Sequence, residues 1–161
     1  MKYSIVICTY NRGDLLEKVL HQVSRQLEHY LKSAEVLVLD NNSKDHTKAV
    51  IMPFVEIYPD NFRYIHEERP GKPFALNRAI AEAKGEWLLF TDDDVDLDEN
   101  WLKALIDATE KYDNRCFFGK IIPDWSSDKP EWFDPRMGSV IVNADHGNDY
   151  KEKMNYLVGA N

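Results

Sequence analysis

Cysteine is scarce. Cys8 and Cys116 are the only two in 161 residues, too few and too far apart for a disulfide scaffold or a zinc site. Cys8 lies in an apolar run, which fits a buried thiol in a reducing compartment. Long hydrophobic runs are missing too: nothing approaches the ~18 apolar residues of a membrane-spanning helix, and no secretory leader opens the chain. Asn41-Asn42-Ser43 is formally a glycosylation sequon, but without an export signal it carries no weight. The seven glycines form neither GxGxxG nor the GxxxxGK(S/T) phosphate loop, and HExxH and GxSxG are absent. Dinucleotide dehydrogenases, P-loop enzymes, zinc proteases and serine hydrolases are thereby excluded. Positive charge is in deficit, with 20 Lys and Arg against 28 Asp and Glu and a net charge of −8. Such a surface repels nucleic acid and anionic lipid unless a cation or a local basic patch intervenes. What is present is globular: 43% hydrophobic, 12% aromatic and 30% charged residues exclude a disordered or collagen-like chain. The length suits one domain, expected over 1–161, in a cytoplasmic protein.

Tyr3 to Cys8 is a short, β-branched, almost continuous apolar run, the pattern of a strand buried on both faces. Leu15, Leu16, Val19, Leu20, Val23, Leu27, Tyr30 and Leu31 then recur at helical spacing. Glu35 to Leu39 reads as a second buried strand, followed by a helix to about Tyr58 capped by Ser43 or Asp45 and kinked or shortened by Pro53. Phe62 to Ile65 is a weaker strand. A polar loop, His66 to Pro73, precedes a helix marked by Phe74, Leu76, Ala79, Ile80 and Ala83, with Gly85 at its C′ position. Trp87 to Thr91 is another buried strand, and Trp101, Leu102, Leu105, Ile106 and Tyr112 mark a fourth helix. Strands alternating with helices predict an α/β fold: a doubly wound, mainly parallel sheet with helices on both faces. Past residue 113 the rhythm changes. Cys116–Ile122, Ser139–Asn143 and Met154–Val158 are expected as short strands, and the close at Asn161 reads as a cut through a domain.

Open parallel sheets bind ligands at the carboxyl ends of their strands, where the strand order reverses. Three of the expected strands run into polar clusters: Thr9 to Arg12, Asp40 to Ser43, and Asp92 to Asp94. Each alone is turn chemistry; on parallel strands they share one rim. Asp92, Asp93, Asp94, Asp96, Asp98 and Glu99 place six carboxylates in eight residues with no base among them. Two carboxylates ~4 Å apart repel by about 1 kcal/mol in water and about 4 kcal/mol at an effective dielectric of 20. A hard divalent cation relieves that repulsion, and oxygen ligands suit Mg²⁺, Mn²⁺ or Ca²⁺. Asp96, Asp98 and Glu99 are expected to cap the next helix, leaving Asp92 to Asp94 as candidate ligands. A calcium EF-hand starting at Asp92 is out, because its sixth and twelfth positions hold Leu97 and Lys103. Arg69 and Lys72 flank Gly71 just before a helix, a place that favours an anion.

With these residues in view, the chain resembles the nucleotide-binding part of a family 2 glycosyltransferase of GT-A fold. The resemblance runs from Tyr3 to about Asn161. It rests on Ser4-Ile5-Val6-Ile7-Cys8-Thr9-Tyr10-Asn11-Arg12, Val38-Leu39-Asp40-Asn41-Asn42-Ser43, Pro70-Gly71-Lys72-Pro73-Phe74-Ala75-Leu76-Asn77, Phe90-Thr91-Asp92-Asp93-Asp94 and Gly159-Ala160-Asn161. It implies that Thr9 and Tyr10 line the base and ribose pocket with Arg12 near it, and that Asp40 hydrogen-bonds the nucleobase. Lys72 then lies near the diphosphate. Asp92 and Asp94 match the outer carboxylates of the DxD element, Asp94 as the direct metal ligand and Asp92 on the ribose side, while Asp93 approaches the nucleotide. Residues 1–113 become the nucleotide-binding part and 114–161 the start of an acceptor-side part, incomplete at the end of the chain. Gly159, Ala160 and Asn161 begin the segment facing donor sugar and acceptor, and Trp125 can stack on a sugar.

The implied reaction is displacement at the anomeric carbon of a nucleotide-diphospho-sugar, a UDP-sugar first, by an acceptor hydroxyl with inversion. Mn²⁺ or Mg²⁺ serves the leaving diphosphate. A saccharide or lipid-linked acceptor fits, in polysaccharide or glycoconjugate synthesis at the inner membrane face. The general base of relatives lies downstream of the segment matching Gly159-Ala160-Asn161. That leaves a second reading, a non-catalytic nucleotide-sugar-binding remnant or partner-binding domain. A nucleotidyltransferase is disfavoured because no glycine-rich basic loop follows Cys8.

Overall fold

The computed structural model describes residues 1–113 and 115–124. Met1–Asp107 form one compact unit, and a second begins at Ala108. The elements are β1 (Tyr3–Thr9), α1 (Gly13–Leu27), β2 (Ala34–Asp40), α2 (Thr47–Ile57), β3 (Phe62–His66), α3 (Lys72–Glu82), β4 (Trp87–Thr91) and α4 (Trp101–Lys111). Every strand pairing is parallel, in the order β3-β2-β1-β4. The chain therefore steps outward from β1 to β3, then returns to lay β4 on the other side of β1. That reversal beside β1 is where such sheets bind ligands.

Alternation along the strands divides the core in two, because successive side chains point to opposite faces. Tyr3, Ile5, Ile7, Val36, Val38 and Leu89 face the side covered by Leu16, Leu20 and Val23 of α1, Ile51 and Phe54 of α2, and Leu102 and Ile106 of α4. Val6, Leu37, Leu39 and Ile65 face α3 through Ala75 and Ala79. Helices thus cover both faces, as the sequence predicts.

Several local expectations need correction. The α1 helix stops at Leu27 rather than reaching Leu31. Tyr30 instead makes a turn, its N–H donating to Leu27 O and its carbonyl accepting from Ser33 and Ala34, which reverses the chain into β2. Ser43 does not cap α2: its Oγ accepts from the Asn11 N–H, and Asp45 Oδ1 takes the Thr47 N–H instead. Pro53 does not shorten α2, which runs on to Ile57 with Pro53 on its exposed side. On α3 the core-facing residues are the two alanines, whereas Phe74 and Ile80 are exposed. Small side chains let that helix sit close on β1 and β2, and the Phe74 ring lies outside them against the Arg69 guanidinium at 4.9 Å. Cys116–Ile122 is irregular apart from one bridge residue at Ile121. The strands expected at Ser139–Asn143 and Met154–Val158, together with Trp125, Gly159, Ala160 and Asn161, lie outside the described residues.

Gly85 is not the C′ cap of α3, since its φ is not left-handed and the Ala83 cap residue is already extended. It is required for close approach. A Cβ there would stand 2.5 Å from Ser4 N and 2.6 Å from Tyr3 C, while the Gly85 N–H donates to Ser4 Oγ at 2.8 Å. Those neighbours are backbone of the central strand and cannot swing aside. Gly85→Ala is therefore expected to destabilise the fold by about 1–3 kcal/mol, the usual cost of overpacking, seen as a lowered urea midpoint with unchanged slope.

Candidate functional site

Register places the tips of the strands side by side. Thr9 pairs with Asp40, Asp40 with His66, and Ile7 with Thr91, so β1, β2 and β4 release their turns at one edge of the sheet. All three described residues with positive φ lie beyond strand ends at this edge: Asn11 (φ 52°) after β1, Asn42 (φ 64°) after β2 and Gly71 (φ 121°) in the loop after β3. Asn tolerates that conformation better than most residues, and such strain concentrates at functional sites. The two Asn turns are tied together: Asn11 N–H donates to Ser43 Oγ at 2.9 Å, and Asn11 Oδ1 accepts from Lys44 N at 2.7 Å.

The acidic turn after β4 is buried at its base and open at its tip. The side chains of Asp92 and Asp93 are 9% and 7% exposed and that of Asp94 is 36% exposed. Cations from two other elements already meet these carboxylates. Arg12, from the β1–α1 turn, donates to Asp93 Oδ1 at 3.1 Å and to Asp94 Oδ2 at 2.5 Å. Lys72, opening α3, donates to Asp92 Oδ1 at 2.7 Å. Asp93 and then Asp94 hold the Arg12 guanidinium more firmly in its charged form. Cys8, beneath the rim, is pushed up to about 11, by burial first. Lys72 acts in the opposite sense and Asp92 and Asp93 add to the rise, so the thiol stays protonated and unreactive at neutral pH. The capping expected of Asp96, Asp98 and Glu99 needs correction: Asp98 Oδ1 accepts from Asn100 N just ahead of α4, but Asp96 turns to Lys18 and Gln22 of α1.

Asp40 is 2% exposed, and both of its oxygens are engaged. Oδ1 accepts from Ser43 N at 2.8 Å and Oδ2 from the Tyr64 hydroxyl at 2.8 Å. Burial, followed by the bond to Asp40, pushes the Tyr64 phenol up to about 12, so it remains a donor and fixes the carboxylate plane. Each oxygen keeps a second lone pair for a ligand. Thr9 is 3% exposed, and its Oγ1 is the one buried side-chain oxygen or nitrogen among the described residues without a hydrogen-bond partner. Buried hydroxyls rarely stay unpaired. Tyr10 is exposed at 57%, with its ring accessible from solvent.

The loop between β3 and α3 is shaped by a short ion pair. Arg69 donates from Nε and a terminal nitrogen to Glu67 at 2.8 and 2.9 Å, and from its backbone N–H at 3.0 Å. Those bonds, side-chain first, hold the Glu67 carboxyl down at about 2 against an ordinary 4.5. A depressed carboxylate stabilises the fold above its unfolded value, and the contribution fades as pH falls from 4.5 toward about 2. Urea titrations of the parent and of Arg69→Ala are expected to differ near neutrality and to converge at about pH 2. Tyr64 is thus a part of the site that strand and turn patterning alone does not reveal, while Arg69 and Asn41 stand in polar clusters that the sequence marks but whose bonding partners it does not. The signal for Arg69 is present in the Glu-Glu-Arg-Pro-Gly-Lys run, but Tyr64 sits in a strand that reads as half-apolar.

Among the described residues no group of three or more His, Cys, Asp or Glu is arranged to hold a metal ion, and Arg12 and Lys72 occupy oxygens of the three aspartates. The donor chemistry nevertheless suits a hard cation: three consecutive carboxylates, with that of Asp94 the most open to solvent. No described helix is long and apolar enough to cross a membrane.

Known proteins are similar to this chain in sequence and fold. The whole chain aligns at 26% identity with 51% of the glucosyl-dolichyl phosphate glucuronosyltransferase of Haloferax volcanii. Over 69% of the chain it is 32% identical to 36% of a Campylobacter jejuni GalNAc(5)-diNAcBac-PP-undecaprenol beta-1,3-glucosyltransferase. A solved mannosyltransferase from Pyrobaculum calidifontis, in complex with GDP-Man and Mn2+, superposes with a TM-score of 0.60 at 28% identity, over 71% of this chain and 33% of that one. The chain spans about half or less of the length of these relatives. Residues 4–158 match the model for Glycosyl transferase family 2, and the chain belongs to that family.

Proposed function

We propose that this chain supplies the donor-binding side of a metal-dependent, inverting transferase that moves a sugar from a nucleotide-diphospho-sugar, a UDP-sugar first, to an acceptor hydroxyl. The observation that carries this reading is the meeting of three strand tips around one acidic corner. Arg12 reaches Asp93 and Asp94 from β1, and Lys72 reaches Asp92 from α3. On this reading Asp94 and Asp92 hold Mn²⁺ or Mg²⁺, which supplies Lewis-acid neutralisation of the leaving diphosphate. Mn2+ in the Pyrobaculum mannosyltransferase complex supports the metal but does not choose between the two ions.

The remaining steps fall to the chain's own side chains. Asp40, its plane fixed by Tyr64 and Ser43, offers its free lone pairs to the nucleobase. Thr9 Oγ1 gains in the ribose region the partner it lacks, and the exposed Tyr10 ring stacks on the base. Asp93 approaches the nucleotide beside them. Lys72, at the start of α3, meets the diphosphate with help from the positive end of that helix. Residues 1–113 form this nucleotide part. Residues from 114 onward, with Trp125, Gly159, Ala160 and Asn161, belong to the sugar and acceptor side. The dolichyl phosphate and PP-undecaprenol in the relatives' names support a lipid-linked acceptor, and the inner membrane face is the place of work this reading proposes.

Calorimetry with UDP, GDP and dTDP, each with and without Mn²⁺, tests this directly. Binding of one diphosphate that strengthens with the metal supports the reading; equal or absent binding in all six titrations removes it. Binding without sugar transfer from a radiolabelled donor would favour the donor-binding remnant instead.

A further inference from the structure

The geometry points to Asn41 as the positioning residue that sets the β3–α3 loop and, through it, the placing of Lys72 at the acidic corner. The inference rests on the nucleotide reading above for its ligand, but not for its structural part.

Asn41 follows the last residue of β2 and is 7% exposed. Its own N–H donates to Thr9 O at 2.9 Å, which anchors it to the tip of the central strand. The side-chain amide then uses both ends on the backbone of one loop. Nδ2 donates to Arg69 O at 2.6 Å and to Glu67 O at 3.2 Å, while Oδ1 accepts from Gly71 N at 2.8 Å. One side chain thus satisfies three backbone groups of a five-residue stretch that has no strand to pair with. Glu67 N–H, donating to Asp40 O at 2.9 Å, fixes the start of the same stretch. Its end is Gly71, whose φ of 121° turns the chain into α3, and the next residue is Lys72. The distance from Asn41 to the Lys72 backbone is therefore one residue beyond a direct hydrogen bond, and Lys72 Nζ in turn meets Asp92 Oδ1.

The chemistry requires an amide. Alanine removes all three bonds. Aspartate keeps the acceptor for Gly71 N but sets a carboxylate oxygen against two carbonyl oxygens where a donor stood, so an isosteric replacement is expected to fail as well. This separates a positioning role from simple space-filling, which Asn41→Asp would preserve.

The test has two arms on the full chain. In the first, hydrogen exchange without ligand is expected to quicken at the amide of Gly71, whose acceptor is Asn41 Oδ1, in Asn41→Ala, while those of β1 and β2 stay protected. Unchanged exchange in the loop would overturn the inference. In the second, UDP with Mn²⁺ is titrated into the parent, Asn41→Ala, Asn41→Asp, Lys72→Ala and the Asn41→Ala/Lys72→Ala double variant. Both Asn41 variants are expected to lose about tenfold in affinity, and Asn41→Ala to cost little more once Lys72 is gone. Equal losses in both backgrounds, or restored affinity in Asn41→Asp, would overturn the route through Lys72. Failure of the parent itself to bind UDP, GDP or dTDP would sink the nucleotide reading and the ligand part with it, and the exchange arm would still decide whether Asn41 holds the loop.

Discussion

Replacing Asp94 by alanine is expected to erase the metal dependence of nucleoside diphosphate binding, leaving the same weak affinity with and without Mn²⁺. The loss should be at least about 10–100-fold in metal affinity, since removing even an outer-shell partner of a metal ligand costs that much. Asp94 is the most exposed of the three aspartates and the only one whose side chain opens well to solvent, so it is the one a hydrated cation meets first. In the ligand-free state its partner is Arg12, 47% exposed, with which the cation must compete. That pair is a surface ion pair worth no more than about 1 kcal/mol, and Arg12 keeps Asp93 when Asp94 is gone. The variant should therefore unfold at nearly the parent's urea midpoint while losing the metal effect. Persistence of metal-strengthened binding in Asp94→Ala would show that the cation sits elsewhere.

The strands and the rim were legible because they follow from two strong patterns. Runs such as Tyr3–Cys8 and Glu35–Leu39 mark parallel strands covered on both faces, and their residues are buried except Cys8, which is half-buried near the strand's end. Polar clusters placed hard against those runs put Thr9, Asp40 and Asp92 on one edge. Helical spacing was less informative about which face turns inward. On α3, Phe74 and Ile80 carry the apolar signal, yet Ala75 and Ala79 meet the sheet, because close packing rewards small residues where helix and sheet approach. The Gly85 signal was ambiguous in the same way: a glycine after a helix suggests a cap, and only the neighbouring Ser4 backbone reveals a steric demand.

What the sequence could not disclose were bonds made between distant turns. Asn41, Asn11 and Tyr64 look like ordinary turn or strand residues, and their partners lie 24 to 33 positions away. The same is true of Gln22 and Gln26, four residues apart on α1. Gln22 accepts from Leu97 N, and Gln26 accepts from Leu102 N while donating to Asp98 O. These glutamines tie the segment that follows the acidic turn to one face of α1.

Glu35 offers the largest expected effect on stability, because it is 1% exposed and charged groups are seldom buried so deeply without a network. Its Oε1 accepts from Ser4 Oγ at 2.7 Å and from Lys84 N at 2.6 Å, and its Oε2 meets Arg63 at 3.3 Å. Arg63 also bonds Glu82 at the end of α3, through both its carbonyl and its carboxylate at 2.8 Å. One carboxylate therefore joins β1, β2, β3 and the chain entering β4. Glu35→Ala leaves a hydroxyl proton and a backbone N–H unanswered and takes one partner from the Arg63 guanidinium, which keeps Glu82, and is expected to cost about 3–5 kcal/mol in urea unfolding. Glu35→Gln retains one acceptor oxygen but turns an NH₂ toward Arg63, which is 25% exposed and can swing outward, so about half that loss is expected. Glu35 lies near the start of β2, whereas the acidic corner lies beyond the strands' ends. The folded fraction of Glu35→Gln should consequently bind nucleoside diphosphate and Mn²⁺ with the parent's affinity. An equal loss of stability and of affinity would mean that the two ends of the sheet are energetically coupled, contrary to a site held by its own rim.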